Sequence, residues 1–260
     1  MAQVEIDIIS DVVCPFCYIG KTHLERAIKK TGLDPVIRWH PFQLNPDLDE
    51  AGVDRIQHMN AKFGSPEKVE KAEKVVVEMA EKAGIHFNLT AQKVQPNTFR
   101  LHKLLALAQM ENLGNELQVK FFDAFFVNGI DLSKEENILD VAETAGLDRS
   151  EAKACLDDET FSEELRYAES AAKGTGVRAV PFFIFNNKFA VSGAQPVETF
   201  IEALTKAEEE ASALRTKKKP VKSEDEDIDP DLEEDLPLDE YDEEDFDDDE
   251  FDDDYRRKDD

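Results

Sequence analysis

Cys14 and Cys17 are the residues of this sequence best suited to chemistry. They sit two positions apart in "DVVCPFCYIG". At that spacing one thiolate can attack a disulfide and the second thiol can displace the product, which is thiol–disulfide exchange. The attacking sulfur needs a site that favours its anion. Pro15 suits the first position of a helix, where its missing N–H costs nothing, so Cys14 is expected at a helix N-terminus. There the unpaired N–H groups and the helix dipole favour a thiolate. Cys17 then lies one turn in, within reach of Cys14. Two other readings of the pair stay open. Tetrahedral zinc needs four protein ligands, or three and a water, but the sequence has no second Cys pair and Cys155 stands alone. The pair could also be two core cysteines placed close by coincidence.

Chemistry of this kind needs elements to position it. Val4, Ile6 and Ile8 alternate with Glu5 and Asp7, which predicts a strand just before the pair. Leu24, Ala27 and Ile28 recur at helical spacing and Gly32 follows as a stop. "PVIRWHPF", bracketed by Pro35 and Pro41, reads as a second strand, so the chain opens strand–helix–strand and favours a parallel pair. Residues from about 50 to 175 read almost wholly helical. Helix starts are expected at Ser65 before Pro66, at Ser133 with Glu136, at Asp148 with Glu151, and at Thr160 with Glu163. Phe121, Phe122 and Phe126 fall on expected core faces. Sheet character returns in "VPFFIFNNKFAVSG", where Phe182–Phe185 and Phe189–Val191 flank Asn186-Asn187-Lys188 and predict a hairpin. A last helix is expected from Val197 to Leu214. For one core to form, the pieces flanking the helical block must meet in one sheet.

Composition narrows the function classes. The chain has 260 residues and a formal net charge of -28. Residues 216–260 hold 24 acids and 7 bases, and residues 1–215 hold 35 acids and 24 bases. Such a surface repels phosphates, so nucleic-acid binding is not expected. No apolar run approaches the ~20 residues of a membrane helix. The segment "MAQVEIDIIS" has neither a basic n-region nor an apolar h-region, so no signal peptide is read and a cytoplasmic location is expected. Residues 216–260 carry too few apolar groups to offset chain entropy and are read as a disordered acidic tail.

"CPFC" after the first strand and "VPFFIF" before a hairpin resemble the thioredoxin superfamily, and the long helical block resembles its DsbA-like branch. Within that branch "DVVCPFCYIG", "NTFRLHKLLALA" and "GVRAVPFFIFNNKFAVSGAQPVETF" resemble the FrnE-type proteins, relatives of the 2-hydroxychromene-2-carboxylate isomerases. The resemblance covers about residues 3–206. It implies an α/β, thioredoxin-like fold. A large helical insertion (about 50–175) would separate the second strand from a cis-proline hairpin, within a domain spanning 1–215. Cys14 would attack and Cys17 resolve. Pro181 would be the cis-proline facing the disulfide, and Val180 would offer backbone groups to an extended client peptide. Phe16 would lie at the client-binding surface. The strongly oxidising DsbA proteins carry a histidine between the cysteines; Phe16 cannot play that part, so a less oxidising disulfide is expected. The isomerase relatives replace the first cysteine, typically by serine, and use glutathione. Both cysteines remain here, which favours exchange with protein thiols and disulfides. No tightly bound cofactor and no metal are implied, and glutathione is a candidate redox partner.

Other residues carry weaker expectations. Asn97, Arg100 and His102 read as a polar helix face, with substrate lining as the alternative. His40 reads as a structural hydrogen-bonder, and Cys155 as an inert buried thiol. Tyr241, Phe246, Phe251 and Tyr255 punctuate the acidic tail, which could solubilise the chain or hold a basic partner. "KKKPVK" at 217–222 reads as a basic bracket or a localisation patch. Two competing functions follow. One is a glutathione-dependent isomerase or transferase acting on small aromatic compounds. The other is an acidic-tailed chaperone or binding module.

Overall fold

In a computed structural model, residues 3–174 and 176–217 are described. The expectations placed on the acidic tail and on "KKKPVK" lie outside the described residues from 218 onward. Strand β1 (Glu5–Ser10) leads through Asp11–Val13 into helix α1 (Pro15–Thr31), and β2 (Val36–Pro41) follows. Helix α1 stops where Gly32 turns left-handed, with φ 68, and its N–H bonds the Ile28 carbonyl. β1 and β2 pair in parallel with Ile8 beside Trp39. After the helical segment come β5 (Phe182–Phe185), β6 (Phe189–Ser192) and α9 (Val197–Lys217). The β5–β6 turn carries Asn186 and Asn187 at φ 50 and 57, the left-handed pair a tight hairpin needs. β5 adds antiparallel to β1, giving the order β2-β1-β5-β6. The pieces flanking the helical block thus meet in one sheet.

That block contains α2 (Arg55–Phe63), α3 (Pro66–Lys82), α4 (Phe99–Met110), α5 (Gly114–Phe122), α6 (Glu135–Thr144), α7 (Arg149–Asp157) and α8 (Glu159–Gly174). It is less uniformly helical than expected. Two short strands, β3 (Val53–Asp54) and β4 (Val94–Gln95), pair antiparallel beside α2. Each is two residues long, too short to show an alternating pattern. Ser65 and Asp148 cap α3 and α7 as expected, accepting from Lys68 N and from Ser150 N and Glu151 N. The other two caps differ. Asp131, rather than Ser133, gathers the turn before α6 by accepting from Ser133 N and Oγ. At the start of α8 the carboxylate of Asp158, rather than Thr160, accepts from Phe161 N. Asp158 takes an orphan donor of α8, whereas α6 starts at Lys134 with no side-chain cap and Asp131 only folds the turn before it.

One face of the sheet presents Ile6, Ile8, Phe183 and Phe185, all buried, to Leu24 and Ala27 of α1 and to Phe200 and Leu204 of α9. Each such side chain contributes roughly 1.5–3 kcal/mol by leaving water. Edge strand β2 is covered by α4, whose Gln109 side chain both accepts from Trp39 N and donates to Trp39 O. The opposite face carries a charged cluster. Asp7, 7 % exposed, accepts from His40 Nε2 at 2.7 Å and Arg38 Nε at 3.1 Å. This gives His40 the structural role expected of it. Burial alone would raise the Asp7 carboxyl, but the bonds from His40 and Arg38 hold it below its ordinary 3.8. A depressed carboxylate stabilises the fold fully above its unfolded-state value, and that contribution is lost as pH falls through the folded one. The melting temperature of the wild type is therefore expected to drop more steeply than that of Asp7→Asn as pH falls below about 4. Parallel acid profiles would show that the cluster carries no such linkage.

Candidate active site

The turn out of β1 sets the cysteines. Cys14 N donates to Asp11 O at 3.1 Å, and Cys14 is the N-cap of α1 with φ -93 and ψ 110. Pro15 opens the helix, and no acidic side chain occupies its first turn, so nothing there opposes an anion on Cys14. Cys17 N closes back on Cys14 O at 3.0 Å. Both cysteines are free thiols. Cys17 is 1 % exposed. Burial pushes its thiol well above the ordinary 9.0, and the hydrogen bond and charge of Cys14 push it further; Ser10 and the Asp11 backbone partly counter this. Cys14 is itself only 3 % exposed, and it borders a cavity described below.

The hairpin supplies the opposing wall. The Val180–Pro181 bond is cis. The Cys14 thiol faces the Val180 carbonyl, with Sγ 3.7 Å from the oxygen. Gly20, on α1, lets this wall approach. A Cβ there would meet Phe183 Cζ at 3.1 Å, Pro181 Cγ at 3.3 Å and Ala194 Cα at 3.3 Å. Phe16, 38 % exposed, stands at the mouth. Cys14, Phe16 and Val180 therefore share one site, with Cys17 beneath it and Pro181 beside it.

Cys14, Phe16 and Val180 border a cavity of about 650 Å³ reaching toward α2 and α3. Its walls include Met59, Phe63, Val76, Phe125 and Phe126. The two phenylalanines come from a π turn, Asp123–Val127, in which Asn128 N bonds Asp123 O at 2.9 Å. The same turn aims Asp123 at Tyr18, whose hydroxyl donates to its carboxylate. Burial, and then this acid, raise the Tyr18 phenol. The tie fixes the residue following Cys17, and the sequence gives no local sign of it.

Asp11 is a second residue that the sequence reading passes over. It is fully buried, accepts from Leu44 N at 2.7 Å, and lies 3.5 Å from His102 Nε2. His102 is thus an interior residue and not part of a polar surface. Asn97 bonds Leu48 O and Gln43, and Arg100 pairs with Glu135, so none of the three borders the cavity. Cys155 faces Lys103 O from α7, with its thiol pushed up by burial to about 11, in keeping with an unreactive sulfur.

A parallel strand pair, an antiparallel hairpin, a dithiol at a helix start and a helical block between them define a thioredoxin-like protein of the DsbA kind. The DSBA-like thioredoxin domain matches residues 5–205, and the chain belongs to that family. It is 30 % identical over 203 residues to the Bacillus subtilis protein YwbO, covering 78 % of this chain and 96 % of that one. It is similar in structure to a probable DsbA oxidoreductase from Streptomyces coelicolor, with TM-score 0.72 and 31 % identity over 80 % of this chain and 91 % of the other. The cytosolic disulfide reductase DsbM from Pseudomonas aeruginosa, solved with GSH, shares the fold with TM-score 0.53 and 15 % identity, covering 82 % and 98 %. Among the described residues no helix is long and apolar enough to cross a membrane.

Proposed function

We propose that this protein is a thiol–disulfide oxidoreductase or disulfide isomerase working through Cys14-Pro15-Phe16-Cys17. The observation that carries the reading is the Cys14 sulfur, held at the N-terminus of α1 and bordering an apolar cavity, with Cys17 sealed beneath it. The Cys14 thiolate attacks one sulfur of a client disulfide, forms a mixed disulfide and expels the other client sulfur as a thiolate. The charge on Cys14 is then gone, which removes one of the influences holding the Cys17 proton. The Cys17 thiolate attacks Cys14 Sγ and frees the client's second thiolate. The client gains two electrons and the protein is left with a Cys14–Cys17 disulfide. Two external thiols, from glutathione or a thioredoxin-type dithiol, restore it. The GSH-bound structure of DsbM supports glutathione as that reductant. An extended client would run along Val180 beside Pro181, with Phe16 against it. A reducing compartment such as the cytoplasm suits this cycle.

The test is a redox titration against glutathione, with free thiols counted by mass-tagging. A reversible two-electron transition is expected. A midpoint near about -270 mV would mark a reductase, and one near about -200 mV an isomerase or oxidase. Failure to form a Cys14–Cys17 disulfide at any poise would end the reading.

A further inference from the structure

The cavity beside Cys14 has an unusual rim for so acidic a protein. Its interior is apolar, but Lys62, Lys68 and Lys71 border it, and all three are exposed. Among the described residues none of the three has a carboxylate within ion-pair distance. The nearby Arg55 is spoken for, since its guanidinium bonds Glu73 at 2.6 Å and the pair is neutral. Of the acids of helix α3 Glu73 borders the cavity, already paired with Arg55, while Glu67, Glu70, Glu78 and Glu81 do not; Lys68, Lys71, Ala72, Val75 and Val76 do. Residues at those spacings share one helical face. His58, also on the rim, is held below its ordinary value by burial first and then by the nearby charges of Lys62 and Arg55. Residues 1–215 as a whole carry 35 acids against 24 bases, so an acidic client is repelled over most of the surface and attracted here.

We propose that the exchange site selects client peptides whose reacting cysteine is flanked by an aromatic side chain and by carboxylates. The aromatic ring enters the cavity among Met59, Phe63 and Phe126. The carboxylates meet Lys62, Lys68 and Lys71 while the client sulfur reaches Cys14. This rests on the exchange chemistry proposed above and names its substrate class. Contacts between exposed charges are individually weak and are screened beyond ~8 Å at physiological salt, so the selection is cumulative and salt-sensitive.

The test uses four synthetic decapeptides, each with one cysteine joined to 5-thio-2-nitrobenzoate, whose release is read by absorbance. They combine Phe or Ser beside the cysteine with Asp or Lys flanking it. With the full-length reduced protein at low salt and in excess, the second-order rate constant of this single turnover for the Phe/Asp peptide is expected to exceed that for Phe/Lys by about tenfold. It is also expected to exceed Ser/Asp severalfold. Raising salt to about 0.5 M should shrink the Asp-over-Lys ratio toward one. The triple variant Lys62→Gln, Lys68→Gln, Lys71→Gln should do the same at low salt. Equal rates for all four peptides, or faster release from the Lys peptides, would overturn the selectivity while leaving the exchange chemistry standing. Release from none of them would sink the exchange chemistry itself.

Discussion

Cys17→Ala is expected to accumulate as a mixed disulfide with its client through Cys14, whereas Cys14→Ser is expected to form none and to lose exchange by about a thousandfold or more. The asymmetry follows from where the two sulfurs lie. Cys14 borders the cavity and caps α1, so a client sulfur can approach it. Cys17 is 1 % exposed, and its thiol sits well above 9.0, chiefly through burial. It cannot meet a client directly; the sulfur it can reach is that of Cys14. Removing it therefore stops the second displacement and leaves the first intact. The step it performs should also quicken with pH through the neutral range, because only the thiolate attacks and its fraction rises about tenfold per pH unit below the thiol's pKa. Non-reducing electrophoresis and intact-mass measurement after incubation with a disulfide-bonded client would show the adduct. Turnover of a small aromatic substrate with glutathione that survives Cys17→Ala would instead favour isomerase or transferase chemistry, which needs no resolving thiol.

The parts legible in the sequence are those whose signals are local. The alternation of Val4, Ile6 and Ile8, the Pro15 start, the Gly32 stop and the Asn186-Asn187 turn each act within a few residues, and each appears in the fold where its pattern points. The Cys14–Cys17 spacing is equally local, whereas Val180 and Pro181 are singled out only by the family resemblance; the structure brings all four together, with the Val180–Pro181 bond cis. What escaped depends on contacts between distant segments. Tyr18 meets Asp123 across 105 positions, and Asp11 meets His102 only because α4 crosses beneath the active-site turn. A polar residue in a helical pattern reads as solvent-facing unless its buried partner is known, so His102 reads as part of a polar face although it is buried. The cavity rim is hidden for the same reason: Lys62 on α2 and Lys68 and Lys71 on α3 sit among acids in the sequence, and only the packing of the helices turns most of those acids away and pairs Glu73 with Arg55. At the start of α8 a carboxylate two residues before the expected hydroxyl takes the N–H group instead, and at α6 the expected hydroxyl of Ser133 is itself a donor to Asp131.

Phe122→Ala is expected to cost about 3–5 kcal/mol of folding stability. For a protein of this size that is a fall in melting temperature of roughly 6–20 °C. Phe122 is fully buried at the end of α5, where three parts of the fold converge. Its ring stacks on Tyr18 of α1 with centroids 4.9 Å apart and planes 8° from parallel, and it meets Trp39 of β2 edge-on at 6.4 Å. Across the π turn it also borders Phe126, at 6.4 Å, which lines the cavity. Truncation removes the ring stacked between the helical block and α1, and backbone held by a sheet on one side and a π turn on the other can only partly collapse into the gap. Tyr18→Phe gives the matched control. It keeps the stacked ring and deletes the hydroxyl that bonds Asp123, so the expected loss is smaller, about 1–3 kcal/mol, the cost of stranding a partly buried acceptor. If chemical denaturation gave the two variants the same loss, the stack would not be what joins the insertion to α1, and the hydrogen bond would have to hold the junction alone. If Phe122→Ala cost the larger amount, the segment carrying Cys17 would be braced mainly by an aromatic contact with the insertion, and changes in that contact should reach Cys17 before they reach the sheet.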